Sequence, residues 1–161
     1  MVGNCQRRWG RLLLIGVGRQ MENGRTKGER LNYDHWKQIP RTWSAWPWQY
    51  FKPEEMACRG TGKLEIECRL LDYLDGLRRI FAHPLVVLSA YRTPYHNSCV
   101  GGAPMSRHLS GDAVDIAVVG LDKTLIERLA REKGFAGFGY YRTFLHLDLG
   151  RPRWWGKKWD V

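Results

Sequence analysis

The sequence predicts an α+β domain built on a small antiparallel sheet with flanking helices. Three observations carry that expectation. Residues 64–81 repeat apolar side chains at steps of three and four, residues 122–134 are bracketed by helix-capping types, and short strand-like runs occupy 85–89, 113–119 and 137–149. A chain of 161 residues, 43% hydrophobic and 12% aromatic, suits a single core and excludes a low-complexity or wholly disordered polypeptide. Its longest apolar run, Leu12 to Val17, falls far short of the roughly 20 residues a membrane span requires.

Taken in order, residues 1–35 read as a basic, disordered arm and residues 36–161 as the folded domain. Arg7, Arg8 and Arg11 ahead of the apolar run imitate a secretory signal, but glycines interrupt it and no small-residue cleavage site follows. Met21 is an alternative start. From His35 to Phe51 the chain is rich in aromatics and broken by Pro40 and Pro47, which opposes a long helix. That stretch reads as an extended segment laying aromatic anchors on the domain, with a ligand-stacking platform as the alternative.

Leu64 to Phe81 then reads as one amphipathic helix, with Ile66, Leu70, Leu74, Leu77 and Phe81 on its apolar face and Pro84 beyond its end. Leu85 to Ser89 and Ala113 to Val119 read as buried strands. Asp122 is the expected N-cap of a helix through Lys133, closed by Gly134. Gly137 to Leu149 reads as two strands around a turn near Arg142 and Thr143.

The charge is uneven. Lys+Arg 26 against Asp+Glu 16 leaves +10, of which +5 lies in residues 1–30 and +3 in residues 151–161. A basic surface suits polyanions such as an anionic cell wall. No zinc-finger spacing, basic heptad region or RNA-binding aromatic motif accompanies it, so nucleic acid is not an expected partner. Cys5, Cys58, Cys68 and Cys99 form no C-x2-C pair. They read as buried thiols or as one incidental bridge.

The chemistry gathers where strands meet loops. His108, Asp115 on the strand that follows, and His146 on a later strand offer the N, O and N donors of a catalytic zinc site, which takes three protein ligands and leaves one position open. Gly111 gives the intervening turn the freedom to bring the first two together. With a period of two, Phe144, His146 and Asp148 share one strand face and Leu145, Leu147 and Leu149 the other. An exposed sheet edge with a surface His and Asp is the alternative.

Together these residues resemble a known family. Ser106-x-His108-x2-Gly111-x-Ala113-x-Asp115, followed by a strand carrying His146, is similar to the zinc-ligand signature of the D-alanyl-D-alanine carboxypeptidase and endopeptidase superfamily, peptidase family M15. Upstream, Leu88-Ser89-Ala90-Tyr91-Arg92-Thr93 resembles its strand ending in Ser-x-x-Arg, and His96-Asn97 with Val100 to Ala103 resembles the loop before the ligands. Cys58-Arg59-Gly60-Thr61-Gly62, and His146 to Gly150 with its Arg/Trp tail, look like the phage and prophage branch. The resemblance spans residues 43–156.

It implies a hedgehog-like or D-Ala-D-Ala-peptidase-like fold and a monomeric Zn²⁺ peptidase acting on peptidoglycan stem peptides, as a carboxypeptidase or an L-Ala–D-Glu or D-Ala endopeptidase. The implied ligands are His108, Asp115 and His146. Arg92 is the implied catalytic cation, for an oxyanion or a substrate carboxylate, and Ser89, His96 and Ser106 are further expected substrate contacts. The acidic residue that several subgroups carry three positions before the last ligand is here Thr143, and the His that others carry two positions before it is Phe144. Asp148 is therefore the expected base or proton shuttle, with orientation of His146 as its other reading. A zinc-containing wall-binding module without catalysis is the alternative function. The expected location follows the same resemblance: synthesis in the cytoplasm and phage-type release to the wall.

Overall fold

The computed structural model describes residues 28–159. Strand β1 (Arg30–Tyr33) pairs antiparallel with β2 (Leu64–Glu67) in a two-stranded sheet. Between them lie a short 3-10 turn (Trp36–Gln38), the aromatic segment and helix α1 (Pro53–Met56). Helix α2 (Cys68–Phe81) follows β2 directly. Then come β3 (Val87–Ser89), α3 (Pro94–Cys99), a 3-10 turn (Arg107–Ser110) and β4 (Ala113–Ala117). Helix α4 (Lys123–Lys133), β5 (Gly137–Tyr140), β6 (Phe144–Asp148) and β7 (Arg153–Gly156) complete the fold. The main sheet runs β3-β4-β6-β5-β7.

The α+β class is as expected, with two changes to the sheet. Strand β7 runs parallel to β5, so the sheet is mixed. Strand β3 is an edge with Val86 and Leu88 exposed, not a buried strand.

The helix expected from Leu64 begins only at Cys68. Leu64 and Ile66 alternate with Glu65 and Glu67 and pair with β1, whose Leu31 is buried in the core. Leu64 and Ile66 satisfy both periods, and only a partner strand decides between them. That partner lies inside the stretch expected to be an arm, so the folded unit begins before residue 36 and includes Arg30–Tyr33. Residues 1–27 of the expected arm, with Cys5 and Met21, lie outside the described residues, as do residues 160–161. Cys58 and Cys68 are buried, and Cys99 is exposed. Among the described residues no helix is long and apolar enough to cross a membrane.

Helix α4 forms as its caps require. Asp122 accepts a hydrogen bond from the Leu125 amide at 2.9 Å, and Gly134 closes the helix in the left-handed region. Helix α2 ends with Ala82 left-handed, ahead of Pro84. Leu70, Leu71, Leu74 and Leu77 of α2, with Ile126 and Ala130 of α4, form one core with Val114, Ile116, Phe138, Leu145 and Leu147 of the sheet. One sheet face is thus apolar and covered by helices. The alternation of the strands sends their polar side chains to the opposite face.

The aromatic segment is anchored at its C-terminal end. Trp48 and Phe51 are buried, and the Trp48 indole donates to Asp72 of α2 at 2.8 Å. Trp43 stays 66% exposed.

Candidate metal centre

Strand register lays out the polar face in two rows. Ser89, Asp115, His146, Gly139 and Trp155 stand opposite one another across β3, β4, β6, β5 and β7. The next row is Ala113, Asp148, Gly137 and Arg153. His108 reaches the first row from its 3-10 turn, whose geometry has identifiable causes. Ser106 caps it, accepting from the His108 amide at 3.4 Å, and Gly111 closes it left-handed at φ 60°. A side chain on Gly111 would collide with the Glu65 carbonyl of β2, so only glycine allows this approach. Strand β1 also braces the turn, through Arg30 donating to the Ser110 carbonyl.

The result is a buried triad. His108 Nε2 lies 3.2 Å from Asp115 Oδ1 and 3.2 Å from His146 Nδ1, and His146 Nδ1 lies 2.8 Å from Asp115 Oδ1. Tetrahedral zinc with bonds of about 2.0–2.2 Å sets ligand separations of about 3.3–3.5 Å. The three donors stand close to that spacing and form a group able to hold a metal ion.

The far side of each ligand is tied to the protein. His108 Nδ1 donates to the Ala90 carbonyl at 2.6 Å, which leaves the Nε2 lone pair facing inward. His146 Nε2 donates to Asp148 Oδ2 at 3.0 Å, which leaves Nδ1 inward. Arg92 Nη2 donates to Asp115 Oδ2 at 2.7 Å, which leaves Oδ1 inward. Such outer partners fix tautomer and orientation in metal sites.

The electrostatics suit a cation. Burial raises the Asp115 pKa, but hydrogen bonds and charge from His108 and His146 outweigh it and hold the carboxyl below the usual carboxylate range. Burial lowers the His146 pKa, and Asp115 with Asp148 more than reverses this, so the ring is more basic than usual.

Asp148 does not fit the expected role of base. It is wholly buried on the far side of the His146 ring from the triad, and its oxygens are taken. Arg153 clamps it with two bonds of 2.9 and 2.7 Å, and the Gly150 amide donates at 2.7 Å. Burial raises its pKa, yet the bonds from His146, Arg153 and Gly150 prevail and bring it down to about 2. It holds the His146 ring by its Nε2–H and is itself balanced by Arg153.

The other expected contacts also have partners within the chain. Arg92 sits behind Asp115, with Nε donating to Ser89 Oγ at 2.8 Å. Ser106 is the cap already described. His96 faces Cys58, its Nδ1 3.3 Å from the thiol sulfur. Burial raises the Cys58 pKa, and hydrogen bonds from Thr61, Thr93 and Gly60 bring it down to about 6.

Sequence reasoning missed four contributors: Gly137, Gly139, Arg153 and Trp155. A side chain on Gly137 would occupy the Asp148 carboxylate, and one on Gly139 would meet the Trp155 ring. The Trp155 ring lies 5.0 Å from that of His146 and its indole donates to the Tyr141 hydroxyl at 3.0 Å. The signal was a glycine at alternate positions of a strand, which marks close approach from a neighbour.

A family model described as Peptidase M15 matches residues 49–148. The chain belongs to the M15 peptidases. No curated protein matches the sequence. M15 peptidases depend on zinc in general, and in this member the buried triad has the donors and spacing for it. The matched stretch ends at Asp148, so Arg153 and Trp155, which back the last histidine, come from the chain beyond it.

Proposed function

We propose that this M15 peptidase binds one zinc ion through His108, Asp115 and His146 and hydrolyses a peptide bond in peptidoglycan stem peptides. The observation that supports this most is the inward convergence of three lone pairs, each held in place by a partner on its far side. A zinc ion held by these three residues would supply Lewis acidity toward the scissile carbonyl and would lower the pKa of water so that hydroxide is available near neutral pH.

The chain's own groups do the rest. Arg92 holds Asp115 and keeps a permanent positive charge beside the triad, suited to a substrate carboxylate or a developing oxyanion. Asp148 and Arg153 stiffen His146, and Trp155 walls its ring. The lysin-like role, release to the wall by a phage or prophage route and action as a monomer belong to the same proposal.

A second reading, a zinc-containing wall-binding module without catalysis, is favoured by two observations. Thr143 stands where several subgroups carry an acid, and Asp148 is sequestered.

Purified protein should contain close to one zinc per chain and release products from defined muropeptides. Mass spectrometry separates the possibilities, since free D-alanine marks a carboxypeptidase and shortened stems an endopeptidase. Zinc-loaded protein that binds walls but releases nothing establishes the binding module. Full activity in metal-free protein would overturn the zinc assignment.

A further inference from the structure

The segment between β1 and α1 encloses a cavity of about 800 Å³ that the metal centre does not use. This is within the size range of small-molecule sites, roughly 300–1,000 Å³. Its wall carries three indoles, Trp36, Trp43 and Trp46, and three cations, Lys37, Arg41 and Lys52, against one acid, Glu54. We propose that it binds an acidic glycan strand, with sugar rings on the indoles and carboxylates on the basic rim.

The cavity is built rather than incidental. The Trp46 indole donates to the Phe51 carbonyl at 2.7 Å and packs edge-on against Trp48, which is tied to α2. The Trp36 amide donates to the Gly62 carbonyl at 2.9 Å. Two walls are therefore fixed before any ligand arrives, which lowers the cost of ordering them on binding. Trp43, 66% exposed, stands free at the rim. Exposing so large an apolar ring has a hydration cost that a stacked ligand would remove.

The charges narrow the ligand further. Among the described residues, no carboxylate pairs with the side chains of Lys37, Arg41 or Lys52. Lys37 lies over the Trp36 ring, 5.7 Å from its centroid, and cations without a carboxylate partner around an aromatic pocket favour a ligand that is both ring-bearing and anionic. A linear polyol phosphate would use the cations and leave three indoles idle. A neutral sugar would do the reverse. The choice of glycan rests on the peptidoglycan reading: wherever a stem peptide has been removed, the strand regains a free muramic acid carboxylate, beside residues that still present peptide to the triad. Helix α1 lines the cavity with Pro53 and Glu54 and packs against β3, which leads into Arg92.

The test uses the full chain and glycan strands freed of peptide by an amidase, whose muramic acid residues then carry free carboxylates. Isothermal titration calorimetry should show saturable binding, weakened about tenfold in Trp43→Ala and in the double variant Lys37→Ala/Arg41→Ala, the scale of one lost aromatic contact. Neutral chitin oligosaccharides should bind more weakly than the acidic strands. In hydrolysis assays, Trp43→Ala should lose about tenfold more rate on walls partly trimmed by an amidase than on isolated stem peptides. No binding by a protein that still cleaves isolated peptides overturns the glycan site alone. Equal affinity in Trp43→Ala overturns it too. Tighter, Trp43-dependent binding of oligothymidylate assigns the cavity to nucleic acid and likewise overturns it. Glycan binding without peptide cleavage keeps the cavity assignment and removes the peptidase reading.

Discussion

The centre of the sheet and the segment from Trp36 to Glu54 are both crowded with rings and charges, and they treat them in opposite ways. At the centre, Asp115, His146 and Asp148 are buried and each has named partners within the chain. Along the segment, Lys37, Arg41, Trp43 and Lys52 lie at the surface. In the first region strand register decides which atoms meet, and the inward lone pairs of His108, Asp115 and His146 converge on one point. In the second, prolines and one anchored indole shape a cavity and leave its polar groups to solvent. Burial makes polar errors costly, because an unpaired buried charge carries a penalty of several kcal/mol. The two regions should therefore differ sharply in their response to mutation.

The strongest test is removal of a ligand. His108→Ala or His146→Ala should abolish both stoichiometric zinc and peptide release, measured by atomic absorption and mass spectrometry. If either variant keeps zinc and turnover, the sheet centre is no better organised for metal than the surface segment. Asp148→Asn should come next, with zinc affinity or turnover reduced about 10–100-fold. A variant that binds zinc as wild type yet has lost all turnover would return Asp148 to the role of base. Its effect on stability has a defined pH window. The folded carboxyl has its pKa lowered to about 2 from 3.8, so the stabilisation is present above about pH 4 and lost as pH falls toward about 2. Denaturation of wild type and Asp148→Asn should converge across that window.

Gly137→Ala tests packing alone. Its new methyl would occupy the Asp148 carboxylate, and the expected loss is about 1–3 kcal/mol in urea unfolding. The smallest effect belongs to the other region. Trp43→Ala should change unfolding free energy by less than about 0.5 kcal/mol. A cost as large as that of Gly137→Ala would erase the contrast and make the rim part of the core.

Legibility in the sequence follows the same division. Helix α4 could be read from Asp122 and Gly134 because capping is local chemistry. The hairpin of β5 and β6 could be read because its alternation and turn are local too. His108, Asp115 and His146 were legible through spacing and a family signature, and they meet as expected. Strands β1 and β7 were not, because each is four residues long and is defined by a distant partner. The clamp on Asp148 was hidden for the same reason. The residue's face was read correctly from the period of two, but Arg153 reaches it from a strand that no local pattern announces.

The position of Arg153 has a consequence in time. The three ligands are complete once His146 has been synthesised, but the partner that balances Asp148 is made later, and Trp155 later still. Strand β7 docks beside β5, which precedes β6 in the chain. A chain made only as far as its third ligand still lacks the cation that locks that ligand's partner. The site therefore gains its full bracing only once strand β7 has been made and has docked beside β5.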